Sequence, residues 1–344
     1  MTETIHLIRP WPVDEGAPLP LDRVPYLVAN AARAPSVNNT QPWRFRVTGN
    51  ALEMLADRGR LLPVLDPTGR ELLMSCGAAL YGLRLAVRRL GYVPAVSLLP
   101  DPAQPDVLAR IHLAATAPVT PRELHLLTAV PHRHTHRGPF APEPLPHGLI
   151  ASLQHDAVAE GATLVMISQP GPYQRLGALV AAANRWQHQD FAVRREVTRW
   201  TRAPSSSARD GVPAHAYPAL TRGRGLARIP GRLPPRDFDV GRGEGMQPTG
   251  GAAPAATAVL VTRADAAADW LRAGQALHRL LIHAASTWVF AALSSQALEA
   301  ASIREMLRAA LSLPGAPQMV LQLGRAHIAQ ATARRPVSQV LMLP

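Results

Sequence analysis

The chain has 344 residues, 47% of them hydrophobic, enough for two domains of ordinary size or one large α/β unit with a substantial core. Cys76 is its single cysteine, which excludes an intramolecular disulfide and any zinc site built on several thiolates, and fits a reducing cytoplasm. The formal charge of +12 points first to nucleic acid, but all 36 Lys-plus-Arg positions are Arg, scattered singly or in pairs, and aromatics make up only 5%, so a basic patch interleaved with aromatics is missing.

The N-terminal stretch MTETIHLIRPWP carries Glu3, lacks the basic-then-apolar order of a signal peptide and is interrupted by Pro10 and Pro12. No uncharged apolar run reaches the length of a membrane span, so a soluble protein is expected. Asp22 to Ala34 then reads as a helix, with Val24, Leu27 and Val28 on one face, Asp22 as a cap and Pro35 as its stop. Phe45 to Asp57 reads as a hairpin turning at Gly49-Asn50. Arg70 to Leu90 is apolar over more than one helical face, the pattern of a buried helix. Val93 to Leu99 and Leu108 to Ala114 follow as strands, Leu145 to Asp156 and Tyr173 to Trp200 as helices, and Thr163 to Ile167 and Thr257 to Thr262 as strands.

A second long apolar helix covers Asp269 to Ala285, and Pro317 to Leu323 is a strand after the Pro314-Gly315 turn. CGAALYGLRLA (Cys76 to Ala86) and AGQALHRLLIH (Ala273 to His283) place Gly, Ala-Leu and Leu at matching spacings, which suggests an internal repeat. Between these helices, Arg202 to Pro254 is rich in Pro, Gly, Ser and Arg without periodicity. It reads either as a disordered insertion or as an ordered lid anchored by Tyr217, Phe238 and Met246.

Three segments carry candidate chemistry. APSVNNTQPW (Ala34 to Trp43) is either an ordinary turn or a ligand loop; Ser36, Asn39 and Gln41 supply donors and acceptors suited to the edge of a flat heteroaromatic, while Trp43 suits the core. In PHRHTHRGPF, His132, His134 and His136 lack a carboxylate at ligand spacing, which argues against a metal. Arg133 and Arg137, on one face if helical, with the Thr135 hydroxyl between them, suit a phosphate monoester; a solvated basic turn is the alternative. In TARRPVSQVL, Arg334 and Arg335 are either surface charge or the mouth of a strand-like VLML. The signals GxSxG, P-loop, HExxH and GxGxxG are missing, and Cys76 reads as a small core residue.

These three segments resemble the binding segments of the nitroreductase superfamily of FMN-dependent enzymes: APSxxNxQPW at Ala34 to Trp43, Arg-x-Ser/Thr-x-Arg/Lys at Arg133 to Arg137, and ARRP at Ala333 to Pro336. Their order is unusual. The opening signature stands at the start of the second half rather than before APSVNN, and the second half keeps only RAPSSSARDG (Arg202 to Gly211) of the other motif. The chain is similar to the Acg-like branch of actinobacterial NAD(P)H nitroreductases over nearly its whole length. The resemblance implies an α+β fold of tandem nitroreductase-like halves, 1–125 and 126–344, forming an intrachain pseudo-dimer with a lid-like insertion at 202–254. Each half would be a mixed, mainly antiparallel sheet packed with helices.

The same resemblance implies that Arg133, His134, Thr135 and Arg137 hold the FMN phosphate and ribityl chain, with Arg334 as a further phosphate partner. Pro35, Ser36, Asn39 and Gln41 would contact the flavin from the other half, and Ser294 stands where the family lays a loop over it. It implies a cytoplasmic oxidoreductase that passes hydride from NAD(P)H through FMN to a small acceptor, with no partner nucleic acid or membrane and no catalytic acid or base named, because the cofactor carries the chemistry. The alternative is a non-enzymatic FMN-sequestering or storage protein whose lid covers the flavin.

Overall fold

The computed structural model describes residues 17–218, 233–239, 242, 244–246, 255–326 and 331–342. The N-terminal stretch read for a targeting signal, and the remaining parts of the 202–254 insertion, lie outside the described residues. The first helix opens as a 3-10 turn, Leu21–Arg23, before α1 (Val24–Ala31) buries Val24, Leu27, Val28 and Ala31. Asp22 lies inside that turn and pairs with Arg23 at 3.1 Å, so it is not the expected cap. Strands β1 (Trp43–Thr48) and β2 (Ala51–Ala56) form the expected hairpin, with Gly49 at a φ of 56° in the turn. Alternation sends Trp43 and Phe45 inward and exposes Arg44.

Helix α2 (Arg70–Arg89) is followed by β3 (Tyr92–Leu98), β4 (Val107–Thr116) and α3 (Pro121–Ala129), a helix opened by a Thr120/Glu123 capping box and not among the expected elements. Helix α4 (Leu149–Ala159) starts at Leu149 rather than Leu145 because Gly148, at a φ of 75°, precedes it. After β5 (Ala162–Met166), the expected Tyr173–Trp200 helix is two: α5 (Pro170–Gln189) and α6 (Phe191–Arg199). Asp190 breaks it, leaving the helical region and accepting the Ala192 and Val193 N–H groups as the cap of α6. Short β6 (Thr201–Arg202) and β7 (Val212–Pro213) pair in parallel, and Tyr217 and Phe238 pack with Val197 and Trp200 in a satellite core. The chain closes through β8 (Ala256–Thr262), α7 (Ala267–Ala285), β9 (Val289–Ser294), α8 (Gln296–Glu299), α9 (Ala301–Ala310), β10 (Ala316–Arg325), α10 (Val337–Val340) and β11 (Leu341–Met342).

Two larger sheets result, in the orders β11-β1-β2-β4-β3 and β5-β8-β10-β9. With β11 set aside, both run first, second, fourth, third strand, every neighbour antiparallel, and each inserts its long helix between the second and third strands. The first sheet packs one face on α1 and α2; its other face carries Glu53 between Arg46 and Arg110, at 2.7 and 2.8 Å. The second sheet is covered on both faces. Ala258 and Leu260 meet α4 and α7, whereas Val259 and Val261 meet α5 and α9. Among the described residues no helix is long and apolar enough to cross a membrane.

The two sheets are joined where α2 crosses α7. A Cβ on Gly77 would lie 2.1 Å from the Leu271 carbonyl oxygen, and one on Gly274 would lie 2.0 Å from that of Met74. The contact is reciprocal: each glycine faces the carbonyl one turn upstream of the other. Further along the seam the Tyr81 and His278 rings meet edge to face at 5.9 Å. Burial drives the His278 pKa down to about 3, so its Nδ1–H donates to the Ala78 carbonyl at 2.6 Å from a neutral ring. Gly77→Ala and Gly274→Ala should each lower unfolding stability by about 1–3 kcal/mol, from overpacking. Gly171→Ala, whose Cβ meets only the Arg175 guanidinium at 3.5 Å, should change it by less than about 0.5 kcal/mol, and urea unfolding of the three variants checks the contrast.

Candidate functional site

The loop between α1 and β1 is held in a costly conformation. Asn38, Asn39 and Gln41 have φ of 46°, 55° and 51°, in the left-handed region that side chains disfavour by about 1–2 kcal/mol each. Hydrogen bonds hold it there. Ser36 Oγ accepts from the Gln41 N–H at 2.9 Å, and Ser75 Oγ from that of Val37 at 3.1 Å. Asn39 Nδ2 donates to the Gly211 and Ala333 carbonyls, at 2.9 and 3.2 Å. Gln41 Nε2 donates to the Arg209 carbonyl at 2.8 Å, while its Oε1 accepts from the Arg335 N–H at 2.7 Å.

Those bonds draw the C-terminal segment alongside the loop, and β11 then adds to β1 as a parallel edge strand. Arg334 consequently meets Arg133. Both guanidinium groups donate to the Arg33 carbonyl, at 3.4 and 3.1 Å, yet Arg133 Nε and Nη1 and Arg334 Nε are buried without an acceptor. After a turn at 131–132 the 133–137 segment is not helical and bridges β9 through Thr135 and Ala291, so alternation, not helical spacing, relates Arg133, Thr135 and Arg137. The rings of His134 and His136 lie on Phe290 and Phe140, at 4.2 and 5.0 Å. Burial, then Arg334 and Arg137, pull the Arg133 pKa down to about 9; burial likewise brings Arg137 and Arg334 to about 10. All three stay charged at neutral pH. Among the described residues the charges acting on them are other arginines.

A cleft lies between this loop, α2, α7 and the end of β9. Pro35, Ser36, Asn38, Thr135, Arg137 and Ser294 line it, together with Pro235, Arg236 and Phe238 of the insertion. That part of the insertion is tied down: Arg236 pairs with Glu299 and reaches Ser295 Oγ at 3.3 Å, and the Arg137 guanidinium sits 5.4 Å over the Phe238 ring. Glu71, in the first turn of α2, forms part of the wall; its Oε1 accepts from Arg70 at 2.9 Å, and its Oε2 is buried without a partner. Burial, then Glu299, push the Glu71 pKa up to about 8, and burial lifts Asp66 to about 6.

No family model matches the chain. Among curated proteins, the "Putative NAD(P)H nitroreductase Rv3131" of Mycobacterium tuberculosis (strain ATCC 25618 / H37Rv) is 36% identical over 327 residues, spanning 91% of this chain and 89% of its own length. The chain belongs to the nitroreductase superfamily. The "Putative NAD(P)H nitroreductase acg" of the same strain is 28% identical over 323 residues, spanning 93% of this chain and 95% of its own. Two solved structures align more loosely. The FMN-dependent nitroreductase NfnB from Mycobacterium smegmatis in complex with NADPH covers 64% of this chain and 98% of its own at 12% identity and a TM-score of 0.38. A nitroreductase with bound FMN from Desulfitobacterium hafniense DCB-2 covers 64% and 98% at 13% identity and a TM-score of 0.39. Family membership rests on the curated relatives alone.

Within this nitroreductase-superfamily chain, the residues expected at a site divide into three sets. Pro35, Ser36, Thr135, Arg137 and Ser294 share the cleft wall. Arg133 and Arg334 converge on one carbonyl, and His134 packs on Phe290. Asn39 and Gln41 do not line the cleft, because their side chains are committed to the 209–211 and 333–335 backbone. Asn38, Glu71, Arg236 and Gln296 line it and were not singled out. For Glu71 a signal existed, a carboxyl group opening an otherwise apolar helix. Inorganic phosphate should raise the thermal midpoint of the wild-type protein. Arg133→Met should raise the phosphate-free midpoint by about 2 °C, by removing an unsatisfied cation, and should abolish the phosphate response in a thermal-shift assay.

Proposed function

We propose that this chain is an FMN-dependent oxidoreductase that takes hydride from NAD(P)H and delivers it to a small acceptor. The observation that carries this reading is the pair of orphaned guanidinium faces on Arg133 and Arg334, buried N–H donors with no carboxylate counter-charge among the described residues. A phosphate monoester fits them, since its oxygens accept those donors and its charge relieves the repulsion between the arginines. Arg133 and Arg334 hold the phosphate, Thr135 and Arg137 the ribityl chain, and Pro35, Ser36 and Ser294 flank the ring. His134 holds its segment against Phe290. Asn39 and Gln41 act by fixing the loop and the Arg334 segment in place. Bound FMN supplies the two-electron hydride chemistry that the side chains lack. The relatives named as NAD(P)H nitroreductases support the choice of reductant.

The shared strand order and the reciprocal glycine contact support two nitroreductase-like halves, 1–125 and 126–344, fused as an intrachain pseudo-dimer, with 202–254 as the lid. Both halves contribute to the cleft, Ser36 and Glu71 from one, Thr135 and Ser294 from the other. Buried Cys76 suits a reducing cytoplasm. A second reading, FMN storage, is favoured by one feature: Pro235, Arg236 and Phe238 of the insertion take part in the cleft wall and narrow the room left for a nicotinamide beside a bound flavin.

Anaerobic titration of the FMN-loaded protein with NADPH and NADH separates the two readings. Rapid bleaching of the oxidised-flavin band is the expected outcome; flavin that binds but stays yellow would favour storage, and failure to bind FMN would sink both. Arg133→Gln and Arg334→Gln should each weaken FMN binding about tenfold or more, measured by flavin fluorescence at equilibrium.

A further inference from the structure

We propose that the solvent face of α6, with the end of α5 beside it, is a docking surface for an anionic phospholipid bilayer. The proposal is independent of the flavin reading above. Phe191 opens α6, and Arg194, Arg195, Thr198 and Arg199 follow it at the i+3, i+4, i+7 and i+8 spacings of one helical face. All five are exposed, and Phe191 stands in the middle of that face with 74% of its surface open to solvent. The opposite face cannot exchange places with it. Val193 and Val197 pack with Leu62, Leu65 and Tyr217, and the buried Glu196 side chain accepts the Val64 and Leu65 N–H groups at 3.2 and 2.8 Å. At the end of α5, Arg185 and Trp186 are exposed as well, the tryptophan to 43%.

Folding thus gathers at one corner an arginine and aromatic patch that is not evident in the scattered sequence. Its guanidinium groups, on Arg185, Arg194, Arg195 and Arg199, have no ion-pair partner among the described residues. The acids of this corner are committed elsewhere: Asp190 caps α6, Glu196 holds the backbone at 64–65, and Asp237 lies 3.5 Å from His188. A cluster left unneutralised in this way is complementary to negative charge spread over a surface. The phenyl ring in its middle decides which surface. At a bilayer the ring enters the boundary between headgroups and acyl chains, while the arginine stems lie along that boundary and their guanidinium groups reach the lipid phosphates. A nucleic acid offers similar phosphates but is bound along a groove that tracks its backbone, and this face is the outside of a single helix. Such a contact needs no membrane-spanning segment.

The test is cosedimentation of the full chain with vesicles of equal parts phosphatidylglycerol and phosphatidylcholine, against vesicles of phosphatidylcholine alone. Binding should require the anionic lipid and weaken about tenfold or more when salt is raised from about 0.1 to about 0.5 M. Phe191→Ser should weaken it about tenfold, and Arg194→Gln combined with Arg195→Gln about tenfold or more. Arg89→Gln removes an exposed charge from the end of α2 and should change binding by less than about twofold, which separates this face from the net charge of the chain. All these side chains are exposed, so the thermal midpoints should stay within about 2 °C of the wild type. Tryptophan emission should shift to the blue on anionic vesicles, and Trp186→Phe should remove most of that shift. Equal binding to both kinds of vesicle, binding to neither, or wild-type binding by Phe191→Ser and by the arginine pair would overturn the proposal. A single-stranded oligonucleotide bound more tightly than the vesicles, and lost in the same variants, would overturn it in favour of a nucleic-acid surface.

Discussion

Everything in this molecule hangs on two helices touching backbone to backbone. Gly77 and Gly274 each face a carbonyl at a distance that no Cβ could share. A glycine inside a helix costs about 1 kcal/mol relative to alanine, so the pair stands there for the close approach it permits. That approach sets the width of the cleft, because α2 contributes Glu71, Met74, Ser75 and Ala78 to its wall and α7 contributes Leu277. It also fixes how the sheets face one another. The C-terminal segment can then cross to β1 and carry Arg334 and Arg335 to the loop that follows α1.

Where these segments meet, the fold accepts two expenses at once. Three non-glycine residues of the loop sit in left-handed conformations, and three arginines stand close without a carboxylate among the described residues. Hydrogen bonds from Asn39 and Gln41 offset the first, joining three stretches of chain far apart in sequence. Among the described residues no carboxylate offsets the second. Repulsion among buried like charges is unfavourable on its own and becomes favourable only with an anion present, so the cost points to a ligand rather than to stability.

The elements with strong periodicity were legible in the sequence. The Gly49 hairpin, the buried helix after Arg70 and the strand at β8 follow from local pattern, and the Gly-x-Ala-Leu match between Cys76–Ala86 and Ala273–His283 marked the helices whose glycines touch. The break at Asp190 was hidden because α5 and α6 are both amphipathic, and a capping aspartate within such a run looks like one more polar residue. At the site, residue types pointed to phosphate, but their geometry was not local information. Whether Arg133 and Arg137 share a face depended on pairing with β9, and whether Asn39 faces a ligand or a carbonyl depended on a segment 294 residues away. The upward shift of Glu71 comes from burial and from Glu299, which only the tertiary structure brings to it.

The cleft wall carries Arg137 beside Thr135 and, across from them in sequence, Glu71 at the first turn of α2 and Arg236 of the insertion. Arg236 also reaches behind the wall to satisfy Glu299, whose side chain is 1% exposed. Removing one partner of a buried pair of this kind leaves an uncompensated charge and costs about 3–5 kcal/mol. The pair therefore ties the 235–238 segment to α8, and with it one side of the cleft wall, so the width of the cleft depends on this contact as well as on the glycine seam.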